Sequence, residues 1–164
     1  MKIKINGTIV SNEEKWIYDL FEMDSFCPKD LQLTDGEDID IEINSIGGRV
    51  YPASEIYTAL MNHKGNVNVL ITGKAASAAS VIAMAGTHVK ISPTAQIMIH
   101  NASATGSGDY RDFAHHAEYL KKVNDTMFIS CISKRAVTST NTFTSNNSSI
   151  AFGSKVIIDN LPIS

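Results

Sequence analysis

The sequence has little of what would declare a metal centre or a disulfide framework. Its two cysteines, Cys27 and Cys131, are far apart among 164 residues, and neither has metal-ligand spacing with another Cys or His. That usage suits a reducing compartment, so a cytoplasmic location is expected. Basic charge is not in excess: 14 Lys and Arg face 17 Asp and Glu, for a net charge of −3 and a pI near 5.9. Nucleic-acid binders usually show the opposite balance. Long hydrophobic runs are missing too. The uncharged small or apolar stretch in mid-chain, Ala75 to Gly86, has twelve residues, whereas a membrane span needs about 20. Met1-Lys2-Ile3-Lys4 leads into alternation rather than an apolar leader. No Gly-x-Gly-x-x-Gly and no phosphate loop occurs. Neither a nucleotide, a metal nor any other cofactor is therefore expected, and neither a nucleic-acid nor a membrane partner.

What is present points to one folded body. The chain is 43% hydrophobic, enough for a single core at this length. Its charge is uneven. Residues 1–60 hold twelve acids and five bases, residues 61–134 four acids and seven bases, and the last thirty residues only Arg135, Lys155 and Asp159. Between Thr138 and Ser149, eleven of twelve positions are Ser, Thr or Asn. That stretch has too few apolar residues to anchor itself and is expected to be mobile. The expected organisation is a body over 1–134 and a divergent tail over 135–164.

Along the body, apolar periodicity alternates between strand and helix. Lys2 to Val10 reads as a strand. Ser11 and Glu14 have capping-box spacing, and Trp16, Ile17, Leu20 and Phe21 predict a helix of about three turns. Ile39, Ile41 and Ile43 alternate with acids in a second strand, which runs into Asn44-Ser45-Ile46-Gly47-Gly48. Ala53, Ile56, Tyr57 and Leu60 have helical spacing. Val67, Val69 and Ile71 predict a third strand, and Gly73 a turn into a buried helix over Ala75–Gly86. Val89–Ser92 and Ala95–His100 read as short strands, Asn101–Gly108 as a loop. Tyr110, Phe113, Ala114, Ala117, Leu120 and Val123 mark an amphipathic helix. The alternation predicts an α/β domain with a largely parallel sheet.

Three segments that follow strands carry chemistry, and α/β folds gather ligands outside the carboxyl ends of their strands. Ser77, in Gly73-Lys74-Ala75-Ala76-Ser77-Ala78-Ala79-Ser80, stands where a strand passes into a helix. A serine there can present its hydroxyl, with the Ala78 amide aimed at a developing oxyanion. An Ala/Ser helix that merely packs tightly explains the same letters, and no Gly-x-Ser-x-Gly elbow is present. His100 ends the apolar strand Ile97-Met98-Ile99 and can take a serine proton, or can be a structural histidine. Gly47-Gly48 can free backbone amides or simply turn the chain. His115 and His116 read as surface residues and His63 as a helix-end residue. Neither these nor His88 has metal-ligand spacing with a second His, Cys or acid.

Taken in order, Ile43-Asn44-Ser45-Ile46-Gly47-Gly48, Gly73-Lys74-Ala75-Ala76-Ser77-Ala78 and Ile97-Met98-Ile99-His100-Asn101 resemble the proteolytic subunit of the Clp protease. The closer likeness is to the shorter phage and prophage branch of head-maturation proteases. The resemblance runs to about Lys134. It implies a crotonase-like α/β fold with a protruding handle helix from Asp109. It also implies a serine endopeptidase in which Ser77 is the nucleophile, His100 the base, and Gly47, Gly48 and Ala78 the oxyanion hole. It further implies a protein or peptide substrate, a homo-oligomeric ring (a heptamer or a double heptamer) and an AAA+ unfoldase partner. Position 46 is usually Pro or Gly in the family, so Ile46 requires a negative φ.

The resemblance stops where the tail begins. The family's closing helix and triad acid cannot be read in Arg135–Ser164, a change that suits a shifted reading frame or a decayed gene end. The triad acid is thus unknown. Asp159, in Val156-Ile157-Ile158-Asp159-Asn160, is a weak candidate, while Asp112 and Asp125 on the long helix read as solvated. Loss of the acid would leave a catalytically impaired or inactive ring subunit, the first alternative. A second is another crotonase-fold enzyme acting on thioesters. It would need an acid near the oxyanion hole, and Glu55, which reads as a surface residue, is the only one close in sequence.

Overall fold

The computed structural model describes residues 1–133 and 155–159. The expected mobile stretch Thr138–Ser149 lies outside them. In chain order the elements are β1 (Lys2–Ile9), α1 (Lys15–Leu20), β2 (Ser25–Phe26), a 3-10 turn (Pro28–Asp30), β3 (Ile39–Gly48), α2 (Val50–Met61), β4 (Val67–Ala76), α3 (Ala78–Ala83), β5 (His88–Ile91), β6 (Gln96–His100), α4 (Tyr110–Ser133) and β7 (Lys155–Asp159). The strands form one sheet in the order β2-β1-β3-β4-β6-β7, with β5 also paired to β4. Every pairing is parallel, as the α/β alternation predicts.

Strand alternation sorts the sheet's two faces. Ile3, Ile5 and Ile9 of β1, Ile39, Ile41 and Ile43 of β3, and Val67, Val69 and Ile71 of β4 are buried in one core. Ala53, Ile56 and Leu60 of α2 and Ala78, Ala79, Ile82 and Ala83 of α3 join that core. The intervening residues face the other way. Parallel sheets are usually covered on both faces, but here the second face carries charge instead. Lys2 Nζ lies 2.7 Å from Glu42 Oε1, and Asn68 Nδ2 donates to Asp40 Oδ1 at 3.0 Å.

β4 sets up the end of the sheet that carries Ser77 and His100. Its first half, Asn68–Ile71, pairs with β5, and its second half, Lys74–Ala76, with β6. The exchange of partners along one edge brings the end of β6 beside the end of β4. Gly73 is therefore not the predicted turn but an interior strand residue. The predicted helix over Ala75–Gly86 shrinks to Ala78–Ala83, because Ala75 and Ala76 pair with Ile97 and Met98. β3 ends at Gly48, with Gly47 and Gly48 paired to Thr8 and Ile9 of β1.

The capping box forms: Ser11 N donates to Glu14 Oε2 at 3.2 Å and Glu14 N to Ser11 Oγ at 3.3 Å. The helix that follows is shorter than expected, six residues with none buried. Its described contacts are with the short edge strand β2, and Glu22 follows at φ 54°. α4 has 24 residues, about 36 Å at helical rise. It is exposed from Tyr110 to Tyr119, so most of its predicted apolar stripe is uncovered.

Candidate active site

Ser77 stands where β4 stops, with φ 53° and ψ −125°. Among the described residues only Glu22 shares a positive φ without being glycine. Such a backbone costs about 1–3 kcal/mol and persists only when its surroundings hold it. The hold is visible here. Ser77 N donates to the Met98 carbonyl at 2.9 Å, and the Ser77 carbonyl accepts from Ser80 N at 3.0 Å and from Ser80 Oγ at 2.6 Å. Ala75, Ala76, Ala78 and Ala79 are all buried around it. The strained strand-to-helix turn of a nucleophile elbow is thus present without the elbow's glycine pattern.

β3 meets this turn through Gly47. Its φ is +92°, and a Cβ there would lie 2.5 Å from the Ala76 oxygen, 2.8 Å from Ser77 Cβ and 3.0 Å from Ala78 N. No larger residue fits. Ser45, buried beneath, ties the segment down: its hydroxyl donates to the Gly7 carbonyl at 2.7 Å and accepts from Gly47 N at 3.1 Å. Gly48, by contrast, is exposed, and the next amide, Arg49 N, donates to the Ile9 carbonyl at 2.8 Å. Ile46 is 63% exposed and keeps a φ outside the positive region, as its β-branched side chain requires.

His100 ends β6 and is half-buried. Ala76 pairs with Met98 across the β4–β6 ladder, so Ser77 and His100 lie at neighbouring strand ends. No hydrogen bond joins the two side chains among the described residues. On the far side of β6, the register sets His100 directly opposite Asp159 of β7.

A cleft of about 510 Å³ opens beside these strand ends. Gly48 and Val50 line one side, Ala102 and Ala104 the other, with Leu120 and Val123 of α4 above. Two contacts hold α4 in place: the Tyr51 and Tyr119 hydroxyls are hydrogen-bonded, and Ala102 N donates to Asn124 Oδ1 at 2.7 Å. At the mouth, the Arg49 guanidinium grips Glu14. That hydrogen bond holds the Glu14 carboxyl below its ordinary pKa.

The other candidates fall elsewhere. Glu55 is exposed on α2, and Asp125, His88 and His115 are exposed as well. His63 Nε2 meets the Glu37 carbonyl at 2.7 Å, and the His116 ring packs on Gly106. Asp112 accepts from Asp109 N at 2.9 Å and so caps α4. Burial pushes the Cys27 thiol pKa up. Among the described residues no three His, Cys, Asp or Glu cluster as a metal site, and no helix is long and apolar enough to cross a membrane. Sequence reasoning missed the supporting roles of Ser45, Ser80 and Asn124. A hydroxyl two residues before Gly47 and another three after Ser77 were the available signals; Asn124 gave none.

The family model for Clp protease matches residues 29–150, well over half of the chain and across all three strand ends. The chain belongs to the Clp protease family. The fold is accordingly that family's crotonase-like α/β arrangement, with α4 as its protruding helix. The ATP-dependent Clp protease proteolytic subunit of Bacteroides fragilis is 36% identical over 95 residues, 57% of this chain and 46% of that protein. The subunit of Deinococcus radiodurans is 36% identical over 93 residues, 56% of this chain and 46% of its own length. That of Porphyromonas gingivalis is 35% identical over 95 residues, 57% and 43% respectively. The chain thus spans less than half the length of these curated relatives.

Proposed function

We propose that this Clp-family chain is a serine endopeptidase with Ser77 as nucleophile and His100 as general base. The observation that carries the reading is the strained Ser77 backbone, held at a strand end next to the one that carries His100. In the proposed reaction His100 takes the Ser77 hydroxyl proton as Oγ attacks the scissile carbonyl. It then gives that proton to the leaving amine, and water releases the acyl group by the reverse route.

The oxyanion is assigned to the Ala78 and Gly48 amides. Amides along a strand point alternately to its two edges. Arg49 N points to β1, so Gly48 N faces the β4 side, where Ser77 lies. Gly47 N is already engaged by Ser45 Oγ; Gly47 serves by letting β3 approach Ser77 closely.

For the triad acid we propose Asp159. Neighbouring strands lie about 4.8 Å apart, and Asp159 is the register partner of His100. An acid there would hold the imidazole tautomer and stabilise the imidazolium.

The relatives are named as subunits of ATP-dependent proteases. By extension, protein or peptide substrates, assembly into a homo-oligomeric ring and service by an unfoldase are proposed for this chain. The uncovered Tyr110 and Phe113 of α4, 76% and 53% exposed, favour assembly.

The test is covalent labelling with a fluorophosphonate, located by peptide mass mapping. Label on Ser77, absent in Ser77→Ala, is expected. No label on the native protein would overturn the peptidase reading and favour an inactive ring subunit.

A further inference from the structure

One polar contact bridges the site and the long helix without belonging to either the nucleophile turn or the oxyanion turn. Ala102 N donates to Asn124 Oδ1 at 2.7 Å, across 22 residues of sequence. Asn124 is half-buried on α4, and Ala102 is half-buried two residues beyond His100. The setting makes the contact consequential. The β4–β6 ladder ends at Ala76 with Met98, and β6 stays paired with β7 up to His100 and Asp159; the chain leaves the sheet just beyond His100. From Asn101 to Ser107 it has no regular secondary structure, and its Ser and Gly content gives it no apolar anchor of its own. A strand end followed by such a loop frays unless something fixes the first residues.

α4 is itself fixed near this point. The Tyr119–Tyr51 hydroxyl pair ties it to the segment just after Gly48, and Leu120 and Val123 pack over the cleft. The amide of Asn124 therefore acts from a braced element. It supplies the acceptor for the Ala102 amide where the loop begins.

We infer that Asn124 is a positioning residue that acts through His100. By holding the Ala102 amide, it keeps the end of β6, and with it the imidazole, in register with Ser77. The inference rests on the peptidase reading above. It adds to it that α4, beyond any part in assembly, sets the geometry of the general base.

The experiment compares Asn124→Leu, similar in size without the acceptor, with Asn124→Asp, which keeps it. Full-length protein is used. Three quantities are read: amide hydrogen exchange at Ala102, the rate of fluorophosphonate labelling at Ser77, and kcat and KM for a peptide. Melting temperature identifies a variant that merely fails to fold. Expected are faster exchange at Ala102 in Asn124→Leu and slower labelling. The corresponding loss falls in kcat, on the order of tenfold to a hundredfold as small misplacements of reacting groups produce. Asn124→Asp should restore most of it.

Unchanged labelling in folded Asn124→Leu would overturn the inference while leaving the peptidase reading intact. So would a change in KM alone, which would make Asn124 a wall of the cleft and nothing more. If Asn124→Leu does not fold, Asn124→Asp decides: labelling and kcat near those of the native protein support the inference, and a loss as deep as that of a base variant overturns it. Failure of the native protein to label at all would overturn both, and Ser77→Ala identifies that case.

Discussion

Two helices of equal length behave in opposite ways. α1 and α3 each have six residues. α1 is built from large side chains, Lys-Trp-Ile-Tyr-Asp-Leu, and buries none of them. α3 is built mostly from small ones, Ala-Ala-Ser-Val-Ile-Ala, and buries all six. Hydrophobicity alone would rank them the other way, since Trp16 and Leu20 have far more apolar surface than Ala78 and Ala79. Trp16, Leu20 and Phe21 are nevertheless 64%, 67% and 66% exposed. Position decides. α3 begins at the end of a central strand and lies against β3, β4 and α2, which cover all six of its side chains. α1 follows β1, next to the sheet margin, where β2 is the outer strand, and among the described residues none covers its large side chains.

The same contrast separates the site from its surroundings. The strained turn at Ser77 is affordable because α3 is packed into the core. A comparable positive φ at Glu22, after α1, only ends a helix.

The largest way to break the contrast is to crowd the packed side. Gly47→Ala places a Cβ 2.5 Å from the Ala76 oxygen at φ +92°. The left-handed backbone alone costs about 1–2 kcal/mol for a residue with Cβ. Peptidase activity, once measurable, should fall on the order of a hundredfold or more, checked as kcat/KM. Full activity would show that β3 does not constrain the Ser77 turn.

Next, Ala79→Leu adds volume at a position with no exposure. Overpacking of this kind costs about 1–3 kcal/mol, to be read from denaturant midpoints. A neutral result would mean that α3 is loosely seated.

A smaller effect is expected at the mouth of the cleft. The Arg49 hydrogen bond depresses the Glu14 pKa. A depressed carboxyl stabilises the fold above its unfolded-state value, and that contribution is lost as pH falls through the lower folded-state value. Arg49→Met should therefore cost stability at pH 7 and progressively less below the ordinary carboxylate range. Exposed pairs contribute roughly 0.2–1 kcal/mol, so the difference should be small but should vanish in acid. A difference that persists undiminished at low pH would mean that the pair contributes through packing.

The smallest effect belongs to α1. Trp16→Ser or Leu20→Ser should change the stability of the isolated chain by no more than about 0.5 kcal/mol. A larger loss that depends on protein concentration would show that another copy covers α1, and would remove the contrast in the assembled state.

Much of the fold was legible because strand alternation is local. The isoleucines of β1 and β3 and the valines of β4 announce one buried face each, and Ala53, Ile56 and Leu60 mark the buried face of α2. The turns were harder. Gly73 looks like a strand end, yet β4 continues through it because β6 supplies the pairing. The Ala-rich run after Gly73 looks helical throughout, yet its first two residues are strand. In both cases a partner distant in sequence supplied the hydrogen bonds that overrode local preference.

For the candidate site, the residue types and their order were in the sequence, and they were enough to suggest Ser77, His100 and the Gly47-Gly48 turn. Its assembly was not. Only the tertiary structure placed Gly47 against Ser77 and left Gly48 exposed. It alone set Asp159 in register with His100 and tied Ala102 to Asn124. The physical reason is common to all of these. Side-chain chemistry and backbone preference belong to single residues and their near neighbours, so they survive in the letters. Which Cβ would collide and which strand lies alongside depend on pairings between segments 20 to 60 residues apart, and only the folded sheet establishes those.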